Sequence, residues 1–152
     1  MTKKETIAYI AGILDGEGYF GISISESSNG TPCYYSRVTV HMNKPEAIKI
    51  ICDFFNTHVK NSTIGGKPYF SFYLSDTKKI ISAIKTVLPY LTVKKEPAKI
   101  VLKLCQSRSV NKVKPLFIHG HFRGNTSLPK PIQDYHASLY HSLKQIQGYY
   151  SK

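Results

Sequence analysis

Ile7-Ala-Tyr-Ile-Ala-Gly-Ile-Leu-Asp-Gly-Glu-Gly-Tyr-Phe-Gly-Ile22 is the stretch of sequence that decides the fold. Its first half places apolar residues at the three- and four-residue spacing of one helix face, and the T-x-x-E pattern of Thr2 to Glu5 predicts a capping box at the helix start. Its second half alternates apolar and small residues, which is strand periodicity. The sequence therefore predicts a buried helix that ends by presenting Asp15 and Glu17 at the edge of a strand.

The two acids and their neighbouring glycines allow two interpretations. Hard cations such as Mg²⁺ prefer carboxylate and carbonyl oxygens, and glycine lets the backbone approach a ligand closely, so the segment indicates a metal site. Acids beside a glycine helix cap are also common without any ligand. Ala8 and Gly12 lie four residues apart on one helix face, where a second helix would be able to approach. Spacing alone does not choose between a metal site and a solvated helix cap.

The charge of the chain indicates an anionic partner. With 152 residues, 41% of them hydrophobic and 12% aromatic, the chain is large enough for one domain with its own core. The formal net charge is +12, and residues 78–130 contain twelve Lys or Arg but a single acid, Glu96. Because a merely solvated surface mixes both signs, this distribution favours nucleic acid as the partner.

Other features of the sequence indicate the cellular compartment. No apolar run approaches the ~18 residues needed to span a bilayer, so no membrane partner is predicted. The N-terminus lacks the layout of a signal peptide, and we expect no targeting signal. Cys33, Cys52 and Cys105 form neither a disulfide ladder nor a zinc pattern. We therefore expect an intracellular, reducing compartment, either bacterial or phage cytoplasm or an organelle matrix.

Strand and helix signals alternate along the rest of the chain. Strands are predicted over residues 19–26, 33–42, 59–64 and 69–74, with helices between and after each pair. Asn43 is the expected N-cap of the second helix. The predicted fold is α+β with the order αββαββα, in one domain over residues 1–152 whose core spans about residues 5–106.

The first predicted hairpin has one apolar and one polar face. A two-stranded ribbon of this kind fits the major groove of DNA. An ordinary half-exposed antiparallel sheet shows the same alternation, so the pattern alone does not choose. The residues expected on the polar face are Ser23, Ser25, Tyr35, Arg37, Thr39 and His41.

The C-terminal part, residues 107–152, is expected to add a basic loop and a helix. Residues 107–131 contain prolines and glycines and are predicted to be irregular, and loops of this length are usually functional or mobile. Arg123 and Lys130 are expected to contact phosphate. His119 and His121 lack the partners that would complete a zinc site.

The segment Ile10-Ala-Gly-Ile-Leu-Asp-Gly-Glu-Gly18 resembles the nonapeptide that names the LAGLIDADG homing endonucleases. Ala11, Gly12, Asp15 and Gly18 match it by identity, and the other positions are conservative or small-residue replacements. The αββαββα order is also that of one LAGLIDADG half. The motif occurs once here, so the resemblance implies a homodimer in which the motif helices of two chains pack together.

The resemblance also implies roles for particular residues. Glu17, the last acid of the motif, would hold a divalent metal, Mg²⁺ or Mn²⁺, with the backbone carbonyl of Asp15 or Gly16 near it. Pro89-Tyr-Leu-Thr-Val-Lys-Lys-Glu-Pro-Ala98 is similar to the family's lysine segment, which makes Lys94 the active-site cation; a generic phosphate contact is the alternative. The expected dimer interface consists of Ala8, Ala11, Gly12 and Asp15, and further expected DNA contacts are Lys67, Lys95 and Arg123.

Two positions of the family pattern match less closely. Asn43 is the expected polar catalytic residue after the second strand, and His41 or Lys44 takes its place if the strand register shifts by one residue. The family's second lysine aligns with Glu96, so that part of the pattern is broken.

The resemblance implies a site-specific, Mg-dependent endonuclease that cleaves double-stranded DNA at a long, near-palindromic target. It is typical of intron-encoded enzymes. The alternatives are an intron-splicing maturase that binds RNA with the same fold and a DNA-binding protein without cleavage activity. The basic surface serves either nucleic acid.

Overall fold

The structure is a computed structural model that describes residues 1–27, 30–125 and 127–150, without the side chains of 115, 116, 122–125, 149 and 150. A short 3₁₀ turn, Leu88–Tyr90, separates the third and fourth helices. The elements in chain order are α1 (Lys3–Glu17), β1 (Gly18–Glu26), β2 (Pro32–Met42), α2 (Pro45–Phe54), β3 (Lys60–Ile64), β4 (Lys67–Leu74), α3 (Thr77–Val87), α4 (Lys95–Val110), β5 (Pro115–Ile118), β6 (His121–Asn125) and α5 (Lys130–Tyr150).

Helix α1 begins with the predicted capping box. The Thr2 hydroxyl accepts a hydrogen bond from the Glu5 backbone N–H at 3.3 Å, and the Glu5 carboxylate accepts one from the Thr2 N–H at 2.6 Å. The helix ends at Glu17, and β1 starts at the next residue without a loop. A Cβ at Gly18 would lie 2.5 Å from the Leu14 carbonyl oxygen, so glycine is required where the helix becomes a strand.

The four main strands form an antiparallel sheet in the order β1-β2-β4-β3. Gly18 lies opposite Val40, and Val40 lies opposite Phe72, so the start of β1 is level with the C-terminal parts of β2 and β4. The β3–β4 connection is a two-residue turn in which Gly65 and Gly66 both have positive φ, 57° and 77°, a conformation that suits tight hairpins. The predicted α+β fold with four antiparallel strands is confirmed.

One face of the sheet is packed against helices and forms the core. Side chains at alternate strand positions on this inner face, together with the apolar stripes of the helices, exclude water. The fully buried members of the core include Ile10, Ala11, Phe20, Val40, Ile48, Ile51, Ile80, Ala98, Val101, Leu104 and Leu143. The opposite, outer face of the sheet is left uncovered by these helices. No helix among the described residues is long and apolar enough to cross a bilayer.

Three local predictions need correction. Lys44, not Asn43, is the N-cap of α2, and no side chain caps this helix, since the lysine side chain has no acceptor atom. Pro45 at the first position fixes the backbone angle there. Helix α4 begins at Lys95 and continues to Val110, so it extends into residues 107–131, which were expected to be irregular. The segment expected to be irregular contains the strands β5 and β6, which pair with each other around a turn at residues 119–120.

Candidate active centre and nucleic-acid interface

The end of α1 brings together an acid and a lysine that are 77 residues apart in sequence. The Lys94 ammonium donates hydrogen bonds to the carbonyl oxygens of Gly16 at 3.0 Å and Gly18 at 2.5 Å. These carbonyls lie at the C-terminal end of the helix, where the helix dipole places partial negative charge. The Glu17 side chain is exposed and carries no hydrogen bond to another described residue. The predicted lysine and the predicted metal ligand therefore lie at the same helix end.

Asp15 holds the segment that carries this lysine. Its carboxylate accepts hydrogen bonds from the backbone N–H groups of Thr92, at 2.7 Å, and Lys94, at 2.9 Å. Lys94 is the N-cap residue of α4, so the carboxylate also lies near the positive end of that helix. The two elements are thus locked reciprocally: the acid of α1 binds the start of α4, and the lysine before α4 binds the end of α1.

Burial makes the Lys94 ammonium less basic than an exposed lysine. Desolvation lowers the pKa of Lys94, and the negative charges of Asp15 and Glu17 oppose this effect. The net direction is downward. A partly desolvated cation interacts more strongly with nearby negative charge than one in bulk water, which suits a group placed close to a phosphate.

The oxygen donors at this site have the right chemistry for a hard divalent cation, and they are few. The Glu17 carboxylate and the Gly16 carbonyl are both ligands that Mg²⁺ accepts. Within the described part of the chain, no group of three or more His, Cys, Asp or Glu side chains converges on a point. One chain therefore fits Mg²⁺ or Mn²⁺ as a partial donor set, and water, phosphate or a second chain would have to supply the other ligands.

The outer face of the sheet carries the predicted polar residues of the first hairpin. The strand register places Ser23 opposite Tyr35, and Arg37 next to Gly21, all on this face. The Arg37 guanidinium lies 5.3 Å from the centre of the Tyr19 ring. A Cβ at Gly21 would lie 2.2 Å from that ring, so this glycine leaves the space that the tyrosine occupies.

Thr39 and His41 lie on the same face but differ in accessibility. Thr39 is only 5% exposed, because its row across the sheet places Tyr19 on one side and Tyr73 on the other. His41 is exposed, and its Nδ1 lies 2.7 Å from the Ser71 hydroxyl. Thr39 therefore has little surface of its own to offer a ligand, whereas His41 presents its ring edge.

The second hairpin, β3 and β4, widens this face with residues that were not predicted from the sequence. Lys60 and Tyr73 form a pair with the ammonium 4.2 Å from the ring centre, and Tyr69 stacks beside His41 with ring centres 6.0 Å apart. The missed signal was the alternation of Tyr69, Ser71 and Tyr73 along β4. Taken together, the outer face alternates aromatic rings with basic groups.

The remaining predicted contacts lie around the edges of this face. Asn43 is exposed and follows the last residue of β2. Gly18, the residue after Glu17, pairs with Val40 near the end of β2, so Asn43 and Glu17 lie at the same end of the sheet. Lys67 begins β4 at the tip of the second hairpin, and Lys95 is the half-buried first residue of α4. Arg123 is in β6, and its side chain lies outside the described part of the structure.

The residues predicted for a dimer interface do not share one surface. Ala8 and Gly12 are exposed on α1, and a Cβ at Gly12 would meet no atom within 4 Å. Ala11 is fully buried in the core, and the Asp15 carboxylate is bonded within its own chain. The open stripe of α1 therefore consists of Ala8 and Gly12. Ala11 was expected in the dimer interface, but it is buried within its own protomer and is not part of this surface.

Three solved structures that share this architecture are homing endonucleases. The archaeal intron-encoded homing endonuclease I-Vdi141I, complexed with DNA, matches over 94% of this chain and 84% of its own, with a TM-score of 0.72 and 14% identity. The homing endonuclease I-CvuI, in complex with the I-CreI target, matches over 70% and 69%, with a TM-score of 0.60 and 17% identity. The I-LtrWI LAGLIDADG homing endonuclease bound to target DNA matches over 70% and 38%, with a TM-score of 0.59 and 17% identity. The chain has the LAGLIDADG homing-endonuclease fold.

The LAGLIDADG fold was the expectation from the nonapeptide, and the structural matches confirm it. The I-Vdi141I match extends over nearly the whole chain, whereas the match to I-CvuI leaves about a third of it unaligned. No protein-family model matches the sequence, and no curated protein matches it. The identity to these LAGLIDADG structures is low, so the likeness concerns the fold and does not by itself assign the residues of the site.

Proposed function

We propose that the protein is a site-specific endonuclease that cleaves double-stranded DNA as a homodimer with Mg²⁺ or Mn²⁺ as cofactor. The observation that carries this proposal is the position of the Lys94 ammonium on the Gly16 and Gly18 carbonyls, at the same end of α1 as the exposed Glu17 and beside a basic, aromatic sheet face. The outer face of the sheet has the side chains expected of a β-ribbon in the major groove of DNA, namely cations that can contact phosphates and polar groups that can contact base edges. The neighbouring pair of charged groups matches the requirements of phosphodiester hydrolysis.

Different residues of the chain would have different roles in cleavage. Glu17 and the Gly16 carbonyl would hold the divalent metal, which when bound neutralises phosphate charge and lowers the pKa of a coordinated water. Lys94 donates a hydrogen bond to the same carbonyl and would place a cation near the scissile phosphate, where negative charge develops. Asp15 keeps Lys94 in place through the backbone. Asn43, at the same end of the sheet, is proposed to orient a water molecule.

A homodimer follows from the number of sites that the reaction needs. Cutting the two strands of a duplex at once takes two active centres, and the sequence contains the motif with its exposed acid Glu17 once. The open stripe of Ala8 and Gly12 on α1 has no side chain that would keep a second α1 away. Two-fold symmetry of the protein then predicts a nearly palindromic target with equal half-sites.

The test is cleavage of a library of DNA duplexes by the purified protein, with and without Mg²⁺. We expect staggered cuts at a pseudo-palindromic sequence. The variant Glu17→Gln keeps the shape of the side chain and removes its charge, so we expect it to bind the recovered target while cleavage slows by about 10²–10³-fold or more. Glu46→Gln is the matched control, because Glu46 is an exposed acid in the first turn of α2 and is expected to leave cleavage unchanged.

Three results would contradict the proposal or the role that it gives to Glu17. Specific binding without cleavage in any divalent metal would indicate a DNA-binding protein. Preference for a structured intron RNA over every duplex would indicate the maturase alternative, since the basic face attracts either polymer. If Glu17→Gln and Glu46→Gln slow cleavage equally, the role proposed for Glu17 in the active centre is wrong.

A further inference from the structure

The strands β5 and β6, with the turn between them, form a small hairpin that stands apart from the main sheet. We call it the C-terminal hairpin, residues 115–125. Its strands pair only with each other, and in the part of the chain that the structure describes no other element makes more than a marginal contact with it. An isolated two-stranded hairpin is marginally stable in water, so this element gains most if it docks on a partner.

The turn of the C-terminal hairpin is built for a tight, twisted ribbon. Ile118 pairs with His121, and the two residues between them have positive φ, 49° at His119 and 77° at Gly120. Two consecutive positive φ values are typical of the two-residue turn whose twist matches that of antiparallel strands. The element is therefore a shaped ribbon, the kind of structure that fits a groove of duplex DNA.

The surroundings of the hairpin are positively charged and partly apolar. Residues 97–133 contain seven Lys or Arg and no Asp or Glu. Lys112 and Lys114 precede β5 and are both exposed. Phe117 and Ile118 are 58% and 47% exposed. This combination of cations with exposed apolar side chains suits a nucleic acid, which offers phosphates beside sugar and base surfaces.

The attachment of the hairpin shows which end of the sheet it belongs to. The Thr31 hydroxyl at the β1–β2 turn lies 3.3 Å from the Ser127 hydroxyl, just after β6. At the other side, the Arg108 guanidinium at the end of α4 donates to the Tyr34 carbonyl and lies 4.4 Å from the Tyr35 ring centre. The hairpin is thus anchored at the far end of β1, about 26 Å from the residue after Glu17 at the usual rise of a strand.

We propose that the C-terminal hairpin, with Lys112 and Lys114, is a second DNA-contacting ribbon that binds the phosphate backbone beyond the distal end of the main sheet. This inference rests on the proposed function, since it assumes that the outer face of the sheet lies on duplex DNA. At about 3.4 Å per base pair, the separation from Glu17 places the contact about eight base pairs outward from the cleavage position. In a dimer the two C-terminal hairpins would contact the phosphate backbone at the two outer ends of the target.

The test is the salt dependence of duplex binding by the full-length protein. Each phosphate contact contributes about 0.9 to the slope of log K against log salt. We expect the double variant Lys112→Gln/Lys114→Gln to reduce that slope by about 1.8 on a fluorescent duplex. Lys78→Gln/Lys85→Gln is the matched control: it removes the same charge from exposed positions on α3, which packs on the inner side of the sheet, and should leave the slope unchanged.

A second measurement locates the contact. On the target recovered from the cleavage library, hydroxyl-radical footprinting should show that the double variant loses protection only in the outer base pairs. A variant in which a Gly-Ser linker replaces residues 115–125 should lose the same protection with an unchanged melting temperature, because the hairpin packs so little against the core.

The outcomes separate this inference from the proposed function. If the wild type neither binds nor cuts any duplex, the proposed function fails. If the wild type binds and cuts but Lys112→Gln/Lys114→Gln has the same salt slope and footprint as the control Lys78→Gln/Lys85→Gln, the hairpin is not a DNA contact. In that case only this inference is overturned. A change in RNA binding or in self-association without a change in the duplex slope overturns it as well.

Discussion

At the scale of single residues, the structure separates the two acids of the motif. Asp15 is engaged with the backbone of Thr92 and Lys94, whereas the Glu17 carboxylate is exposed at the helix end. An acid that already accepts two N–H hydrogen bonds serves mainly to position the segment that it binds. An exposed acid with no such bond among the described residues is available to a ligand. The carboxylates therefore have different tasks although they are two positions apart.

Asp15→Asn is expected to lower stability and cleavage together. The amide keeps one acceptor oxygen, but its NH₂ group would face a backbone N–H, so at least one hydrogen bond to a charged group is lost, at a cost of about 1–3 kcal/mol. Displacement of Lys94 would slow cleavage by up to about 10²-fold. Urea denaturation and single-turnover cleavage measure the two effects.

Glu17→Gln is the comparison for this variant. It should leave the denaturation midpoint unchanged and affect cleavage alone, because the Glu17 side chain holds no part of the described fold together. Unchanged stability of Asp15→Asn would contradict the positioning role.

At the scale of elements, α1 serves two surfaces at once. Ile10, Ala11 and Leu14 are buried in the core, while Ala8 and Gly12 form an open stripe on the opposite side. The inward stripe gives the helix its place in the protomer. The outward stripe has the small side chains that close helix packing requires, and in the proposed dimer it would be covered by the same helix of a second chain.

Gly12→Leu is expected to block dimer formation while leaving the protomer folded. The new side chain has free space within the protomer, since a Cβ there meets no atom within 4 Å, and leucine favours a helix more than glycine does. It would keep two α1 helices apart. The mass in solution, by sedimentation or light scattering, should change from that of a dimer to that of a monomer.

Gly148→Leu is the matched control, because Gly148 is likewise an exposed glycine in a helix, α5, with no atom near its Cβ position. A dimer that persists in Gly12→Leu would place the interface elsewhere.

At the scale of the whole molecule, α5 ties the C-terminal part to the core. The Gln147 side chain donates to the Phe20 carbonyl at 2.7 Å, which connects α5 to β1. His136 is 2% exposed, and its Nε2 lies 2.8 Å from the Ser107 hydroxyl of α4. Burial, with a smaller effect of the nearby Arg108 charge, lowers the pKa of His136 below its usual value of 6.5. The burial of His136 between α4 and α5 therefore favours the neutral form of the imidazole.

Stability is expected to fall as the pH drops below about 6.5. In that range the unfolded chain takes up a proton at His136 that the folded chain resists, so the unfolded state binds more protons and stability rises with pH. The contribution is fully present above the unfolded pKa and is lost on acidification, by at most about 1.4 kcal/mol per pH unit. Thermal melts between about pH 5 and pH 8 measure it.

His136→Gln should flatten this part of the pH profile. His141→Gln changes an exposed histidine of the same helix and should leave the profile as in the wild type. Identical profiles for all three proteins would show that protonation of His136 does not limit stability.

The sequence by itself determined the features that depend on neighbours along the chain. The capping box at Thr2, the helix-to-strand change at Gly18 and the αββαββα order all follow from short-range periodicity and turn residues, and the structure agrees with each. The family resemblance also indicated Glu17, from the nonapeptide, and Lys94, from the lysine segment; in the structure both residues lie at the C-terminal end of α1.

Only the tertiary structure decided which surface each residue serves, because that depends on contacts between distant segments. The bonds of Asp15 to Thr92 and Lys94 join segments 77 and 79 residues apart, and no local pattern contains them. Ala11 faces the core, and Thr39 is covered by tyrosines from the neighbouring strands, although spacing placed both on functional faces. The C-terminal hairpin was missed because its strands are short, so pairing rather than periodicity defines them.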